Sequence, residues 1–162
     1  MTSPKASPIP PPRFDLVEVK SEKDFAAAYP VLMQLAEIET PETAEKLTLG
    51  KAWEQYQSSR KQGFKLYAAQ TSLEIIGTIA LRICDDPLND GKPYAIINNL
   101  IIEEDFRGLG IGPDMLARTE LLAKKEGCTA SLLAVLKGNK KVKSLYEENG
   151  YSAISDLMIK EI

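Results

Sequence analysis

Glycine alternates with other residues between Arg107 and Gly112, and this short segment constrains the fold more than any other part of the chain. It follows an apolar run over 94–102 and precedes a stretch, from about 112 to 126, with apolar residues at helical spacing. Glycines let the backbone turn tightly, and the first turn of a helix offers unpaired N–H groups to an anion. The sequence therefore predicts a strand–loop–helix unit with a pyrophosphate site. A plain turn is the alternative, although three alternating glycines exceed what turning requires.

Two familiar phosphate-binding motifs are excluded by their spacing. The dinucleotide pattern GxGxxG needs glycine at position 113, which is Pro113. A Walker A loop needs GxxxxGK, and neither Gly50-Lys51 nor Gly91-Lys92 has the upstream glycine. The pattern that remains is R-x-x-G-x-G.

Hydrophobic periodicity and turn residues divide the rest of the chain into strands and helices. Ser21 and Thr40 are typical helix caps, and Pro30 is a point at which the first helix kinks or splits. The predicted strands are 14–20, Phe64–Gln70, Ile75–Cys84, Tyr94–Ile102, 129–136 and 151–160, and the last helix is 139–149. The order predicts a mixed sheet with helices on its faces.

The chain has no histidine, which removes every mechanism that depends on an imidazole. This excludes hydrolysis by a Ser–His–Asp or Cys–His arrangement, a zinc site with histidine ligands, and a histidine that acts as acid or base. Carboxylates, Tyr, Lys, Cys, backbone amides or a bound cofactor must carry any chemistry. A net charge of −3 argues against a dedicated nucleic-acid binder, because no overall positive field is available to neutralise phosphates.

Five of the ten prolines lie within residues 1–12, a composition that cannot build a core. We predict a disordered or polyproline-like tail over 1–12 and a single domain over 13–162. A ligand for a proline-binding module is the less favoured interpretation of that tail. The start has no apolar run typical of a signal peptide, and no apolar stretch has the length of a membrane span. The two cysteines, Cys84 and Cys128, lie far apart in the sequence, as is common for reduced cysteines in a cytosolic protein. We therefore expect a cytoplasmic protein without membrane association.

A second motif follows the glycine loop after one predicted helix and one predicted strand. It reads N-x-x-V-x-x-L-Y-x-x-x-G-Y, from Asn139 to Tyr151. The two motifs together resemble those of the GNAT superfamily of acyl-CoA-dependent acetyltransferases, Q/R-x-x-G-x-G/A and N-x-x-A-x-x-L-Y-x-x-x-G-F. The resemblance covers residues 64–162 well. It implies an α/β (α+β) fold, with a mixed, mostly antiparallel sheet of about six to seven strands flanked by about four helices.

The resemblance also implies acetyl-CoA as cosubstrate, no metal, and a role for each motif. The backbone of Leu100, Ile101 and Ile102 would pair with the pantetheine arm and offer an N–H to the thioester carbonyl. Asn139 would contact the pantetheine, and Tyr146 would donate a proton to the leaving thiolate. The pyrophosphate would be held by Arg107, Gly108, Leu109, Gly110, Ile111 and Gly112.

Simpler interpretations of some of these residues stay open. Asn139 is well placed to cap a helix, and Tyr146 has the spacing of a core aromatic residue. The lysines of 137–143 either meet the 3′-phosphate of coenzyme A or form a solvated face. Pro113 removes one first-turn N–H from the loop, and we expect Asp114 to point away from an anionic ligand.

No general base can be named from the sequence. An amine with a pKa of about 10.4 is neutral in only about one molecule in several thousand at pH 7. Some group must therefore accept its proton before it can attack. Family members often place a carboxylate on the fourth strand, where this chain has Ile96, Asn98 and Asn99. An amide there can only hold a relaying water. Three acids further upstream either draw in a cation or are solvated: Glu37, Glu39 and Glu42.

The favoured function is an N-acetyltransferase that moves acetyl from acetyl-CoA to a primary amine by direct attack in a ternary complex. The acceptor is either a small amine or a protein amine. A coenzyme-A-binding module without turnover is the main alternative, because no carboxylate stands on the fourth strand. A protein-interaction domain that uses the proline tail is a third. The resemblance leaves homodimer formation open.

Overall fold

The computed structural model of this protein describes residues 10–88 and 90–162. The predicted proline tail lies mostly outside the described residues. The strands are β1 (Asp15–Glu18), β2 (Phe64–Gln70), β3 (Ile75–Cys84), β4 (Tyr94–Ile102) and β5 (Ser131–Leu132). The helices are α1 (Glu22–Glu39), α2 (Pro41–Ala44), α3 (Leu49–Lys61), α4 (Ile111–Lys125) and α5 (Lys140–Glu148), with a 3-10 turn over Glu104–Phe106.

The strands form one sheet in the order β1-β2-β3-β4-β5. The pairs from β1 to β4 are antiparallel, whereas β4 and β5 run parallel. The mixed and mostly antiparallel sheet is thus confirmed. The predicted six to seven strands and four helices are wrong in number, because the described residues form five strands and five α-helices.

The last predicted strand is absent, which lowers the strand count, and the strand before it is shorter than predicted. The strand predicted over 129–136 is reduced to Ser131–Leu132, after which the chain leaves β4. The strand predicted over 151–160 has no regular structure. Its apolar residues Leu157, Met158 and Ile159 are consecutive and at least 88% exposed, so they define no single buried face.

Helix α1 continues through Pro30 as one helix, so the split considered from the sequence does not occur. Pro30 lies on the exposed side of the helix. On the other side Phe25, Ala28 and Val31 are buried, and this packing holds the helix together across the missing N–H. Ser21 caps its start, as the sequence predicted, and the side chain of Asp24 bonds back to the Ser21 backbone.

The sheet is covered on both faces. One cluster packs α4 against the sheet through Met115, Leu116 and Ile79. The other packs α1 and α3 against it through Phe25 and Tyr56. Gly77 permits close contact on the first face, because a Cβ there would stand 2.9 Å from Met115 Sδ and 3.1 Å from the carbonyl oxygen of Ile101. In the described residues no helix is both long and apolar enough to cross a membrane.

Candidate active site

Strand β4 carries a bulge in its second half. Thr78 pairs with Ile101 and Ala80 pairs with Asn98, so two residues of β4 oppose one residue of β3. Asn99 takes a left-handed conformation with φ 54°, and its carbonyl oxygen accepts a hydrogen bond of 3.2 Å from Thr78 Oγ1. A bulge bends its strand and redirects the neighbouring groups. The bend therefore lies immediately before the predicted pantetheine-binding residues Leu100–Ile102.

The outer edge of β4 is open beyond the bulge. Strand β5 pairs with Ala95 and Ile96 only. Within the part of the chain that the structure describes, no strand pairs with that edge over residues 97–102. Such an edge offers backbone N–H and C=O groups to an extended ligand, which can add to the sheet as a further strand. Leu100, Ile101 and Ile102 all lie on this open stretch.

The glycine loop lies between β4 and α4. Gly108 and Gly110 have positive φ angles of 77° and 81°, and a Cβ at either would have open space around it. Gly110 is the N-cap of α4 and provides no side chain to cap it. The amides of Ile111 and Gly112 therefore begin a helix whose positive end has no side-chain cap. This geometry suits a phosphate group.

Asp114, the acidic residue beside the loop, forms an ion pair with Arg118. Arg118 contacts Asp114 through two hydrogen bonds of 3.0 and 2.8 Å, one helical turn along α4. The same guanidinium lies 4.4 Å from the centre of the Phe14 ring. The charge of Asp114 is thus balanced within α4, which agrees with the expectation that it does not oppose an anion at the loop.

Arg107 joins the loop to helix α1. Its Nε donates to the Ile102 carbonyl oxygen at 2.8 Å, and its terminal nitrogen donates to Gln34 Oε1 at 3.0 Å. Gln34 in turn donates to Glu103 Oε1 at 3.3 Å. The Arg107 side chain therefore positions the loop through protein contacts. Sequence reasoning missed Gln34, because its partner stands 73 residues away and no local pattern marks it.

Helix α5 carries the second motif. The Asn139 side-chain oxygen accepts a hydrogen bond of 3.2 Å from the Val142 amide, so its capping role is confirmed. The side-chain nitrogen of Asn139 is not used by that cap. The lysines of this region are exposed, and Lys143 forms an ion pair of 3.7 Å with Glu147 on the same helix.

Tyr146 is half-buried against the α4 side of the core. Its ring centre lies 5.8 Å from that of Tyr151, whose hydroxyl bonds to Ser131 and Glu120 at 2.7 and 2.6 Å. Among the described residues no hydrogen bond engages the Tyr146 hydroxyl. Burial, with a smaller contribution from the charge of Glu39, raises the pKa of Tyr146. The phenol is therefore protonated at neutral pH and is free to donate.

A cavity of about 270 Å³ lies between α1, α3 and strands β2 and β4. Its aromatic residues are Phe25, Tyr29, Tyr56 and Phe64, and its polar residues are Glu39, Thr40, Gln55, Ser59 and Asn99. Asn99 belongs to the bulge of β4, so the cavity adjoins the open edge. The sequence does not reveal this cavity, because the spacing of apolar residues along α1 and α3 gives no sign of empty space between the two helices.

Among the described residues that line this cavity, Glu39 is the only charged one. It is the last residue of α1, and it is exposed to solvent. The surrounding protein nevertheless displaces water from the carboxylate and thereby raises the pKa of Glu39. Of the three upstream acids considered from the sequence, Glu37 and Glu42 do not line the cavity. Within the described ranges no cluster of acids or cysteines has the arrangement of a metal site.

Comparisons with known proteins agree with this geometry. The sequence profile described as the acetyltransferase (GNAT) family matches residues 31–151. The chain is similar to the uncharacterized N-acetyltransferase YobR of Bacillus subtilis (strain 168), with 32% identity over 96 residues, which are 59% of this chain and 35% of that protein. This chain thus covers only about a third of that relative's length.

Two solved structures share the fold. A Trypanosoma brucei acetyltransferase aligns with a TM-score of 0.76 and 18% identity, over 93% of this chain and 100% of that one. A GNAT family acetyltransferase from Staphylococcus aureus subsp. aureus USA300_TCH1516 aligns with a TM-score of 0.72 and 18% identity, over 92% of this chain and 98% of that one. Because the family profile covers most of its residues, the chain belongs to the GNAT family of acetyltransferases.

Proposed function

We propose that this protein transfers the acetyl group of acetyl-CoA to a primary amine, by direct attack of the amine in a ternary complex. The observation that supports this most strongly is the conjunction of two features. One is the open edge of β4 beyond its bulge, and the other is the uncapped start of α4. The first suits an extended amide-containing chain and the second suits a phosphate group.

The residues present fit coenzyme A. Leu100, Ile101 and Ile102 would pair with the pantetheine through their backbone, and the side-chain nitrogen of Asn139 would reach its amides. The loop from Arg107 to Gly112 would receive the pyrophosphate: Gly108 and Gly110 leave open space, and the amides of Ile111 and Gly112 would donate to it. When bound, acetyl-CoA supplies an activated thioester, so no metal or imidazole is needed.

The protein's own groups would assist the transfer at two atoms. A backbone N–H at the bulge would donate to the thioester carbonyl oxygen, in the manner of an oxyanion hole. The Tyr146 hydroxyl would donate its proton to the sulfur as the carbon–sulfur bond breaks. The raised pKa of Tyr146 keeps that proton on the phenol until it is needed.

We also propose a cellular location for the protein and the class of its acceptor. A cytoplasmic location agrees with free Cys84 and Cys128 thiols, which a reducing compartment preserves. The net charge of −3 disfavours nucleic acid as a partner. The acceptor is a primary amine, either of a small molecule or of a protein.

The test measures binding and turnover separately. Acetyl-CoA should raise the thermal unfolding midpoint of the wild-type protein, and thiol release should depend on added amine. Tyr146→Phe should lower turnover by about 10²–10⁴-fold while acetyl-CoA binding is preserved. Tyr94→Phe, at the far end of β4, is the matched control and should keep full turnover. Binding without turnover on any amine would instead favour a coenzyme-A-binding module, and absence of binding would overturn both.

A further inference from the structure

The cavity between α1, α3 and β2 contains the chemistry of an acceptor site with a definite preference. We propose that it takes a primary amine carried on an aromatic or bulky aliphatic group, and that the Glu39 carboxylate receives the ammonium and accepts its proton. This inference rests on the proposed acetyltransferase function and goes beyond it, because it names the class of acceptor and the proton acceptor.

The size and lining of the cavity favour an apolar acceptor. Four aromatic side chains line it, from α1, α3 and β2. A cavity of about 150 Å³ lined by apolar side chains suffices for benzene. The volume here is about 270 Å³, which leaves room for a ring and a short chain that ends in an amine. A sugar or a small amino acid would leave polar groups unpaired against the aromatic part of this lining, which makes its binding free energy less favourable than that of an apolar group.

The place of Glu39 is unfavourable for stability, which is typical of a functional residue. It ends α1, where the helix dipole disfavours negative charge, and the last turn of α1 contains no basic residue. In the described part of the chain, no other charged residue lines the cavity. Functional sites are places where a residue is expected to break a local rule of this kind. An incoming ammonium would supply the missing positive charge.

The cavity is connected to the predicted transfer site by two observations. Asn99 lines the cavity and also forms the bulge of β4 that precedes Leu100. The charge of Glu39 makes the smaller of the two contributions that raise the pKa of Tyr146. Tyr29 and Tyr56 line the same cavity from α1 and α3.

The proton balance of the transfer is as follows. The arriving ammonium gives one proton to Glu39, which releases it to solvent. The neutral nitrogen then bonds to the acetyl carbon, the carbon–sulfur bond breaks, and the sulfur keeps the electron pair and takes the proton of Tyr146. The nitrogen loses a second proton through Glu39, and Tyr146 regains one from solvent. The products are an amide and a thiol.

The single tryptophan provides a direct readout of binding. Trp53 packs against Phe25 and Tyr56, with ring centres 5.5 and 5.9 Å apart, and both of these residues line the cavity. Intrinsic fluorescence of the full chain can therefore be titrated with 2-phenylethylamine, without any acetyl-CoA. Ethanolamine tests the need for an apolar group, and 2-phenylethanol tests the need for a positive charge.

Two variants make the test specific to Glu39. Glu39→Gln should weaken 2-phenylethylamine binding by about tenfold or more and leave 2-phenylethanol binding unchanged. Glu37→Gln removes an exposed acid from the same turn of α1 and should leave both unchanged. Ethanolamine should bind far more weakly than 2-phenylethylamine to the wild-type protein.

Three results would overturn the inference: no binding of 2-phenylethylamine, ethanolamine binding of equal strength, or equal effects of Glu39→Gln and Glu37→Gln. If acetyl-CoA stabilises the protein but only polar amines are acetylated, the proposed acceptor class is wrong and the proposed function still holds. A protein that acetyl-CoA does not stabilise would reject the proposed function, whatever the fluorescence shows.

Discussion

The two halves of the candidate site are built in different ways. The cofactor half is made mainly of backbone, from residues 97–112 of one continuous segment: the open edge of β4, the glycine loop and the first turn of α4. The acceptor half is made of side chains from α1, α3, β2 and β4 that meet around a cavity. The first half needs only the right local conformation, whereas the second needs the whole tertiary structure. A side-chain substitution should therefore affect the two halves very differently.

The largest expected effect comes from a substitution that changes the backbone conformation of the cofactor half. Gly110→Val places a β-branched side chain at φ 81°, in the open space where the pyrophosphate is proposed to bind. Acetyl-CoA affinity should fall by about 100-fold or more, because the strained loop no longer presents its amides. Gly63→Val is the control, since Gly63 has a similar φ of 84° and equally open surroundings beyond the end of α3. Calorimetry should show lost binding for the first variant only.

A smaller effect should separate the acceptor half from the cofactor half. Ala36 lines the cavity from α1 and is half-buried, so Ala36→Leu fills part of the space without adding charge. Binding of 2-phenylethylamine, followed by Trp53 fluorescence, should weaken by about tenfold, and overpacking costs about 1–3 kcal/mol of unfolding free energy. Acetyl-CoA affinity should not change. Equal loss of both ligands would mean that the halves are not independent.

We expect Gln34 to connect the acceptor half of the site with the cofactor half. Its side chain bridges Arg107 and Glu103, and so it connects α1 with the end of β4. Gln34→Ala should reduce acetyl-CoA affinity by about two- to fivefold, because hydrogen bonds at the surface contribute about 0.5–1.5 kcal/mol each. Gln57→Ala, at an exposed position of α3, is the control. An unchanged dissociation constant for Gln34→Ala would show that the loop keeps its shape unaided.

The smallest effect concerns stability and pH. The folded protein raises the pKa of Glu39 above its usual value, so ionisation of this group disfavours the folded state. That penalty is absent at pH values below the unfolded pKa and fully present above the raised folded value. Glu39→Gln should thus unfold at the same or a slightly higher temperature than wild type at pH 7, with the difference vanishing near pH 4. A clearly lower midpoint at pH 7 would mark Glu39 as structural.

The contrast between the halves also explains which features could be predicted from the sequence. The glycine loop, the capping role of Asn139 and the family follow from residues close together in the chain. The bulge was missed, although Asn98 and Asn99 in an otherwise apolar strand are its local signal. The short β5 was missed because apolar residues continue past Leu132, and the pattern does not record where the chain leaves the sheet. The cavity depends on how α1 and α3 pack, which no local pattern records.

The measurement that tests the account most directly is a crystal structure of the protein with coenzyme A. We expect the pantetheine to lie along the open edge of β4 over residues 97–102, with the pyrophosphate at the amides of the Gly108–Gly112 loop and the sulfur near the Tyr146 hydroxyl. Coenzyme A bound elsewhere, or a β4 edge covered by the protein itself, would contradict the account.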